Sequence, residues 1–428
     1  MTPHASVVTT DLAIVGSGMA GMAAAVFAAN RGISTVLAGK SSAIHFASGV
    51  MDLMGVFPAG VEHLDPWSGI EQVKTSLPGH PYGKIDVRKI SAALAEISDF
   101  LAARDLPYQR AAYRNIDIIT SVGTRKKTYM VPRTMWKGIE AFETKAPTLL
   151  VDFTGLKLFS AKQIRACLAG QWEKTKAVCV DFPGTEFLEE VHPEHLARSM
   201  DLSQNRIQLA EKIKPFVKDV EYVGFPAMVG LYKSREALQE MESLLGAAVF
   251  EIPTPPVSVP GIRLHDAFQK GLEKKQCLHS LPEMVKDIRI VSNGNVRISA
   301  GSQEALTTIE AKKVILATGR FLGRGLVAGR TGIQESLLGL PVVQPETREE
   351  WHRDELFDPG GHEINRAGIE TDQLLRPLAA PETPFADNLF AAGSILAHSD
   401  WTRLKCGSGV AMATAFAAVE NIKTMGKF

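Results

Sequence analysis

A glycine-rich turn near the start of the chain constrains the fold more than any other feature of the sequence. Gly16, Gly18 and Gly21 lie between an apolar stretch, 11–15, that predicts a buried strand and an Ala-rich stretch, 19–30, that predicts a helix. In such a unit the first glycine permits a tight turn, the second lets the backbone approach a pyrophosphate, and the third lets helix and strand pack closely. The turn therefore predicts a dinucleotide-binding strand–turn–helix.

The next elements complete a βαβ unit. Residues 33–38 predict a second strand, and strands that alternate with helices predict a parallel sheet covered on both faces. A pyrophosphate would lie at the positive end of the intervening helix, beside Ser17 and Ala20. A Glu or Asp is expected after the second strand, where it accepts from the adenosine ribose, but Gly39 and Lys40 stand there. The sequence leaves open how an adenosine half is held.

Two later glycine-rich segments indicate a flavin. An A-T-G turn follows the predicted strand 313–316, as in flavoproteins that bring the chain back beside the cofactor at this point. The segment 388–393 and the final helix, predicted over 410–422, resemble the part of flavoproteins that passes the ribityl chain and directs a helix N-terminus at the O2 side of the isoalloxazine. We assign the following residues of these segments to cofactor binding: Ala317, Thr318, Gly319, Gly393, Gly407 and Gly409.

Composition and charge exclude several classes of protein. Apolar residues make up 45% of the chain and charged residues 22%, which predicts a chain folded throughout. The formal net charge is zero, so no overall field would hold nucleic acid or an anionic membrane. The four cysteines form no C-x-x-C pair, which argues against an iron-sulfur or zinc site in this chain. Because neither a signal peptide nor an apolar stretch of roughly 18 to 20 residues is found, we predict a cytoplasmic protein that reaches the inner face of the membrane only through a partner.

The middle of the chain differs in pattern from its two ends. Residues 67–261 contain helices interrupted by prolines and a hairpin-like stretch around the basic turn 125–127, and they predict an inserted α+β domain. Four prolines within 252–260 predict an extended connector. Residues 1–66 and 262–428 would then form one α/β domain, a Rossmann-like FAD/NAD(P)-binding fold around a central parallel sheet.

Some polar residues could take part in chemistry, although each also has a structural interpretation. His45 could assist proton transfer, and Arg403 could hold a substrate phosphate or a flavin charge. His192 and His195 have helical metal-ligand spacing, but Pro193 lies between them, so we predict a solvated loop and no metal.

Other residues are interpreted as structural. Arg263 and Arg376 are expected to form salt bridges, and Met51 and Met54 to pack in a core. Cys406 is expected to be a buried thiol rather than a redox-active one, since no resolving cysteine lies nearby in sequence.

Longer motifs resemble those of one flavoprotein family. The sequence has SAIHFASG at 42–49, MDL at 51–53, PPVSVPGIRL at 255–264, and GI, TD and LRP within 368–377. These motifs run nearly from end to end and resemble the B subunit of anaerobic glycerol-3-phosphate dehydrogenase. Related flavoproteins place hydroxyls and backbone donors of the turn after the second strand on the pyrophosphate and flavin. The resemblance thus implies cofactor contacts from Lys40, Ser41, Ser42, Ser48 and Gly49.

The resemblance also implies a heterotrimer. A catalytic A subunit would oxidise sn-glycerol 3-phosphate to dihydroxyacetone phosphate, and a C subunit would carry iron-sulfur clusters toward the membrane quinone. The family is usually described with FMN, whereas the glycine fingerprint favours FAD. Because Gly39 stands where the ribose-binding acid is expected, FMN stays an alternative.

Two functional classes follow from these features, together with a third option. The chain is expected to be either an enzyme subunit that completes glycerol-3-phosphate oxidation or an electron-carrying flavin subunit without substrate chemistry of its own. A fumarate-reductase-like dehydrogenase shares the glycine motifs but fits the longer motifs poorly.

Overall fold

A computed structural model describes residues 6–40, 43–292, 294–302 and 305–426. The helices are α1 (Met19–Asn30), α2 (Pro66–Ser76), α3 (Val87–Ala102), α4 (Arg133–Thr144), α5 (Ala161–Cys167), α6 (Pro193–Ser199), α7 (Ser203–Ile213), α8 (Ser234–Leu245), α9 (Val259–Leu272), α10 (Trp401–Leu404) and α11 (Gly407–Thr424).

The strands follow the same chain order. They are β1 (Ser6–Val15), β2 (Thr35–Ala38), β3 (Tyr108–Gln109), β4 (Ile116–Ile119), β5 (Arg125–Thr128), β6 (Val131–Pro132), β7 (Thr148–Phe153), β8 (Thr175–Val180), β9 (Tyr222–Pro226), β10 (Ala248–Ile252), β11 (Leu278–Leu281), β12 (Val285–Ile290), β13 (Val296–Gly301), β14 (Leu306–Leu316), β15 (Leu326–Ala328), β16 (Ile333–Glu335), β17 (Val342–Val343), β18 (Gly368–Ile369), β19 (Leu378–Ala380), β20 (Thr383–Pro384) and β21 (Leu389–Ala391).

The chain divides into two compact units. The first unit consists of Met1–Ala43, Asp52–Phe100 and Phe268–Phe428, and the second of Ile44–Met51 and Leu101–Ala267.

A mainly parallel sheet forms the centre of the first unit. Its strand order is β11-β2-β1-β14-β13-β12, with β21 also paired to β14. The pairs among β11, β2, β1, β14 and β21 are parallel, whereas β12, β13 and β14 pair antiparallel. This sheet confirms the predicted α/β, Rossmann-like fold.

Two Ala-rich helices of the first unit are apolar on all sides. Helix α1 is buried from Ala20 to Ala29, and helix α11 is buried over most of its length. The helices pack against each other, and the rings of Phe27 and Phe416 meet edge to face with centroids 5.1 Å apart. A helix without a polar face is stable only when it is enclosed, so both belong to the core. Helix α1 has the predicted bounds, whereas α11 begins at Gly407, earlier than the predicted 410.

The second unit has a parallel sheet of its own. The strand order is β10-β9-β7-β8, and helices α4, α5, α7 and α8 contact its strands or one another. Its core is aromatic, with Phe153 stacked on Phe225 and edge to face with Phe182. Antiparallel pairs β3–β6 and β4–β5 accompany the sheet, and the second pair is the hairpin predicted around residues 125–127.

The boundaries of the two units differ from the predicted ones, because two segments belong to the other unit than the one predicted. Residues 67–100 lie with the first unit, because the Tyr82 hydroxyl donates to the Leu53 carbonyl at 2.7 Å and the Phe100 ring stacks on Phe268. Residues 44–51 lie with the second unit, because the amide of Met51 donates to the carbonyl of Met130 at 2.8 Å.

Proline positions account for two further differences. Helix α6 begins at Pro193, so the solvated loop predicted around His192 and His195 is wrong: His192 is the N-cap and His195 lies in the first turn. The predicted connector is shorter than expected and bends at 255–257, since β10 ends at Ile252 and α9 begins at Val259 with Pro260 in its first turn. Proline suits both places because the first helical amides have no intrahelical acceptor.

Among the described residues, no helix combines the length and apolar character that a bilayer crossing requires.

Candidate functional site

Four strands of the first unit end side by side, and each leads into one of the predicted segments. Val15 of β1 pairs with Ala38 of β2 and Leu316 of β14, and Leu316 pairs with Ala391 of β21. The amide of Gly16 donates to the Ala38 carbonyl at 2.7 Å, which continues this alignment into the first turn. Ligands of parallel α/β sheets bind at this carboxyl edge.

The three fingerprint glycines have different surroundings. A Cβ on Gly16, whose φ is +109°, would overlap the carbonyl oxygen of Ala317, and a Cβ on Gly21 would overlap the carbonyl oxygen of Gly16. A Cβ on Gly18 would meet no atom within 4 Å. Packing of the chain itself therefore requires glycine at 16 and 21, whereas Gly18 faces open space that a ligand can occupy.

The amino end of α1 offers unpaired donors to that space. Its N-cap, Gly18, has no side chain, and no acidic residue lies in the first turn. The amides of the first turn have no intrahelical acceptor, and the helix dipole adds positive potential. In the neighbouring turn, the Thr318 hydroxyl is buried without a hydrogen-bond partner among the described residues. The amides at the start of α1 fit the pyrophosphate of a dinucleotide.

The place of the expected ribose-binding carboxylate is closed by packing. The Ser17 hydroxyl donates to the carbonyl of Gly39 at 2.9 Å, and a Cβ on Gly39 would lie 2.7 Å from the Ser17 amide nitrogen. A Glu or Asp would not fit at this position without a shift of the first turn. Lys40 follows and is exposed, whereas Ser41 and Ser42 lie outside the described residues.

The third predicted segment packs directly on the first. Gly393 has φ of +82°, its amide donates to the Thr414 hydroxyl at 2.8 Å, and a Cβ there would lie 2.6 Å from that of Ala20. At the start of α11, the Gly409 amide donates to the Asp52 carbonyl at 2.8 Å. This helix end is the one predicted to face the isoalloxazine. One of its amides therefore already donates a hydrogen bond within the chain.

The remaining cofactor positions predicted in this unit lie at the start of α11 and in the A-T-G turn. Gly407 is the first residue of α11, and a Cβ there would lie 2.9 Å from the ring of Trp401. Gly319 has φ of +71°, and the space around it is open to 3.5 Å. Of these positions, Ala317 and Gly319 lie in the turn that directly follows β14 at the carboxyl edge.

Three predicted residues lie in the second unit instead. Gly49 has φ of +79° and closely approaches Pro260, while its carbonyl accepts from the Tyr108 hydroxyl at 2.6 Å. Ser48 is half-buried beside it. The His45 ring meets the ring of His265 edge to face at 4.5 Å, and burial, followed by the nearby His265, lowers the pKa of His45. The structure thus gives Gly49 and His45 local packing roles.

Arg403, a candidate for holding a phosphate or a flavin charge, lies beside a carboxylate, whereas Cys406 and Arg376 have the structural surroundings expected of them. Arg403 lies with its Nε 3.6 Å from the Asp400 carboxylate. Cys406 is fully buried, and burial raises the pKa of its thiol to about 12, which keeps it protonated. Arg376 pairs with Asp372 at 2.7 Å, as expected for a salt bridge.

The same holds for the predicted core and salt bridge elsewhere in the chain. Met51 and Met54 are buried, as predicted for core packing. The second unit holds the ion pair between Arg263 and Glu251, at 2.6 Å, with both side chains almost wholly buried.

Sequence reasoning missed a polar cluster in the first unit. The Glu370 carboxylate accepts from Lys84 Nζ at 2.6 Å and is bonded to His398 Nε2 through its other oxygen. Burial favours the protonated carboxyl, but the hydrogen bonds and charges of His398 and Lys84 outweigh it and lower the pKa of Glu370 to about 2. The three residues are far apart in the sequence, so no local pattern marks them.

A second histidine, His80, lies close to this cluster and is fully buried. Its Nδ1 accepts from the amide of Tyr82 at 3.2 Å. Its Nε2 has no hydrogen-bond partner among the described residues. Burial lowers the pKa of His80 to about 3, with a further contribution from His398, so His80 is neutral at physiological pH.

Comparison with known proteins agrees with this geometry. Residues 11–410 match the model of the FAD binding domain family. The chain is 30% identical to the B subunit of a probable anaerobic glycerol-3-phosphate dehydrogenase from Halobacterium salinarum, over 96% of this chain and 97% of the relative. It is 28% identical to the B subunit of the anaerobic glycerol-3-phosphate dehydrogenase from Vibrio vulnificus, over 96% and 95%.

A solved structure is also similar. The 3-ketosteroid delta1-dehydrogenase of Sterolibacterium denitrificans is 12% identical, covers 98% of this chain and 100% of its own, and has a TM-score of 0.46. The family match identifies FAD as the cofactor. The chain therefore belongs to the flavoproteins with this FAD binding domain and, among them, to the family formed by the B subunits of anaerobic glycerol-3-phosphate dehydrogenases.

Proposed function

We propose that this chain is the FAD-carrying subunit of a complex that oxidises sn-glycerol 3-phosphate to dihydroxyacetone phosphate and passes the electrons through an iron-sulfur subunit to quinone. The observation that carries the proposal is the convergence of the glycine-rich turns at one sheet edge, with open space at Gly18 and unpaired donors around it. The relatives named as the B subunit of this dehydrogenase support the substrate and the association with partners.

Different residues of the carboxyl edge would bind different parts of the cofactor. The amides at the start of α1 and the Thr318 hydroxyl would bind the pyrophosphate, and the turns at Gly319 and Gly393 would leave room for the ribityl chain. Because Gly39 replaces the ribose-binding carboxylate, the adenosine would depend on backbone groups and on Lys40. Bound FAD would supply two-electron acceptance and one-electron release.

The division of labour among subunits follows from the cysteines and from the chemistry of a flavin. The four cysteines of this chain contain no C-x-x-C pair, and Cys406 is a buried, protonated thiol. We therefore assign the iron-sulfur clusters to a partner and substrate oxidation to a catalytic A subunit, with this chain as the electron-carrying flavoprotein between them. The complex would act in the cytoplasm, at the inner face of the membrane, through its partners.

Dye reduction with glycerol 3-phosphate tests this assignment. The rates of dye reduction by this chain alone, by the catalytic partner alone and by the reconstituted complex are compared, and quinone reduction is measured for the subunits assembled with and without this chain. We expect little turnover by this chain alone and quinone reduction only when it is present. Replacement of wild type by Gly18→Val in the complex should abolish quinone reduction. Full turnover by this chain alone would overturn the proposal.

A further inference from the structure

We propose that the second unit has a binding site of its own for a small phosphate ester, in a cleft at the amino end of helix α4. The cleft encloses about 220 Å³, and every residue that lines it belongs to the second unit. It lies among α4, α8 and the strand pair β3–β6. Sites for drug-sized ligands have roughly 300–1,000 Å³, so this cleft suits a smaller molecule. The proposal is independent of the flavin site.

The amino end of α4 supplies backbone donors. The N-cap is Pro132, which cannot cap the helix with a side chain, and the first turn has no acidic residue. The Arg133 amide donates to the Pro107 carbonyl at 2.9 Å. The next two amides, of Thr134 and Met135, have no intrahelical acceptor, and the positive end of the helix dipole lies there.

An unsatisfied side chain points to a missing acceptor at the same place. Thr134 is 5% exposed and lines the cleft, yet its hydroxyl has no hydrogen-bond partner among the described residues. A buried hydroxyl without a partner is unfavourable. An oxygen atom of a ligand bound at the amino end of α4 could accept from this hydroxyl and from the helix amides together.

The acidic residues of the cleft all have partners. Asp105 accepts from Arg235 at 3.3 Å, and Glu140 accepts from Lys137 Nζ at 2.7 Å. Glu242 accepts from a backbone amide of β10. The side chain of the remaining cation, Arg133, is exposed and forms no ion pair within the described part of the chain. Three cations balance the three carboxylates of the cleft, so its net charge is zero, but the Arg133 guanidinium and the Thr134 hydroxyl lie together at the amino end of α4.

These donors match a phosphate better than a carboxylate. A phosphate monoester has three acceptor oxygens and nearly two negative charges at neutral pH, which suits two amides, a hydroxyl and a guanidinium. The half-buried indole of Trp136 lines the same cleft and provides an apolar wall for the organic part of the ester. We therefore expect an ester to bind more tightly than inorganic phosphate.

Calorimetric titration of the flavin-loaded chain tests the site. Inorganic phosphate and phenyl phosphate are titrated separately, in chloride buffers of matched ionic strength. The variants are Arg133→Gln, Thr134→Val and Thr134→Ser, and the control is Arg165→Gln, an exposed arginine on α5 of the same unit. We expect Arg133→Gln and Thr134→Val to weaken phenyl phosphate binding at least about tenfold, as for loss of a hydrogen bond to a charged group. Thr134→Ser and Arg165→Gln should bind as wild type does.

Each possible result of the titrations either supports the site or overturns the proposal. Tighter binding of phenyl phosphate than of inorganic phosphate, lost in Thr134→Val and kept in Thr134→Ser, supports the site. The proposal is overturned if wild type binds neither anion, if phenyl phosphate binds no more tightly than inorganic phosphate, or if the affinity is unchanged in Arg133→Gln and Thr134→Val. Circular dichroism and the unfolding temperature are measured without phosphate for wild type and Thr134→Val. Equal values show that the variant is folded, so its loss of binding is caused by the missing hydroxyl.

Discussion

At the scale of single residues, the glycines of the first turn are of two kinds: two that the fold requires and one that it does not. Gly16 and Gly21 are required because a side chain at either position would overlap a backbone carbonyl oxygen of the same unit. Gly18 has no such neighbour, so the fold itself tolerates a side chain there. We therefore propose that glycine at 18 serves a ligand that approaches the backbone.

We predict that Gly18→Val folds but binds no flavin, because its branched side chain would fill the space of the pyrophosphate. The loss of stability without cofactor should be about 1 kcal/mol or less, as for an unfavourable N-cap residue. Gly21→Ala, the matched variant, should lose about 1–3 kcal/mol or more through overpacking. Flavin absorbance per folded chain and thermal unfolding measure the two effects. A folded Gly18→Val protein with wild-type flavin content would contradict the assignment.

The pKa of His80 predicts a specific pH dependence of stability. Its pKa is about 3 in the folded protein and 6.5 as an unperturbed histidine, so below pH 6.5 the unfolded chain binds a proton that the folded chain does not. Stability from neutral His80 is therefore present above pH 6.5 and is lost as the pH falls toward 3, with a limiting slope of about 1.4 kcal/mol per pH unit. His80→Asn, whose amide oxygen can replace Nδ1 as an acceptor, should lack this loss between pH 6.5 and 5.

Glu370 provides the control with a different pH window. Its folded pKa of about 2 lies below the ordinary value of 4.5, so the stability that it contributes is present above pH 4.5 and is lost as the pH falls toward 2. The difference in stability between wild type and Glu370→Gln should stay constant from pH 6.5 to 5 and shrink only below 4.5. Urea unfolding at each pH measures both variants, and parallel curves for wild type and His80→Asn would show that His80 does not titrate as described.

The residues of the site differ in how far the sequence could predict them. The fingerprint glycines are recognisable because their spacing reflects one local turn between a strand and a helix. Glu370 and His398 are not recognisable, because 28 residues separate them and only the folded chain brings them together. The absence of the ribose-binding acid was visible at Gly39, but its cause, the approach of Ser17, required coordinates.

At the scale of elements, a buried ion pair ties strand β10 to helix α9. Glu251 of β10 and Arg263 of α9 form two hydrogen bonds with each other, and Arg263 also donates to the carbonyls of Val229 and Gly230. Because both side chains are nearly inaccessible, removal of one charge leaves the other without a counter-charge in a low dielectric.

We predict that Glu251→Gln lowers the free energy of unfolding by about 3 kcal/mol, as for other buried pairs that lose one partner. The control is Glu236→Gln on helix α8, which pairs with the buried Arg206 but is 55% exposed and leaves Glu240 as a second partner. Its cost should stay below about 1 kcal/mol. Urea unfolding followed by circular dichroism gives both values, and equal losses for the two variants would refute the distinction.

Elements were predictable where one local signal dominated. Helix α1 has the predicted bounds because no polar residue and no proline interrupts it between the glycine turn and Asn30. Helix α6 was missed because Pro193 was interpreted as a breaker, although proline at the first helical position is favourable. The start of α9 was missed for the same reason at Pro260.

At the scale of the whole molecule, the fold class was predictable and the exact boundaries were not. Alternation of strands and helices predicts a parallel sheet, and both units contain one. The chain, however, passes between the units after residues 43, 51, 100 and 267.

The identity of the flavin that the purified chain releases on denaturation tests the central claim most directly. Mass spectrometry of the released cofactor, with its amount per chain, is measured for wild type and for Gly18→Val under the same conditions. We predict FAD at about one molecule per chain in wild type and none in the folded variant. Release of FMN, or a colourless wild-type chain that takes up no FAD on reconstitution, would contradict the account.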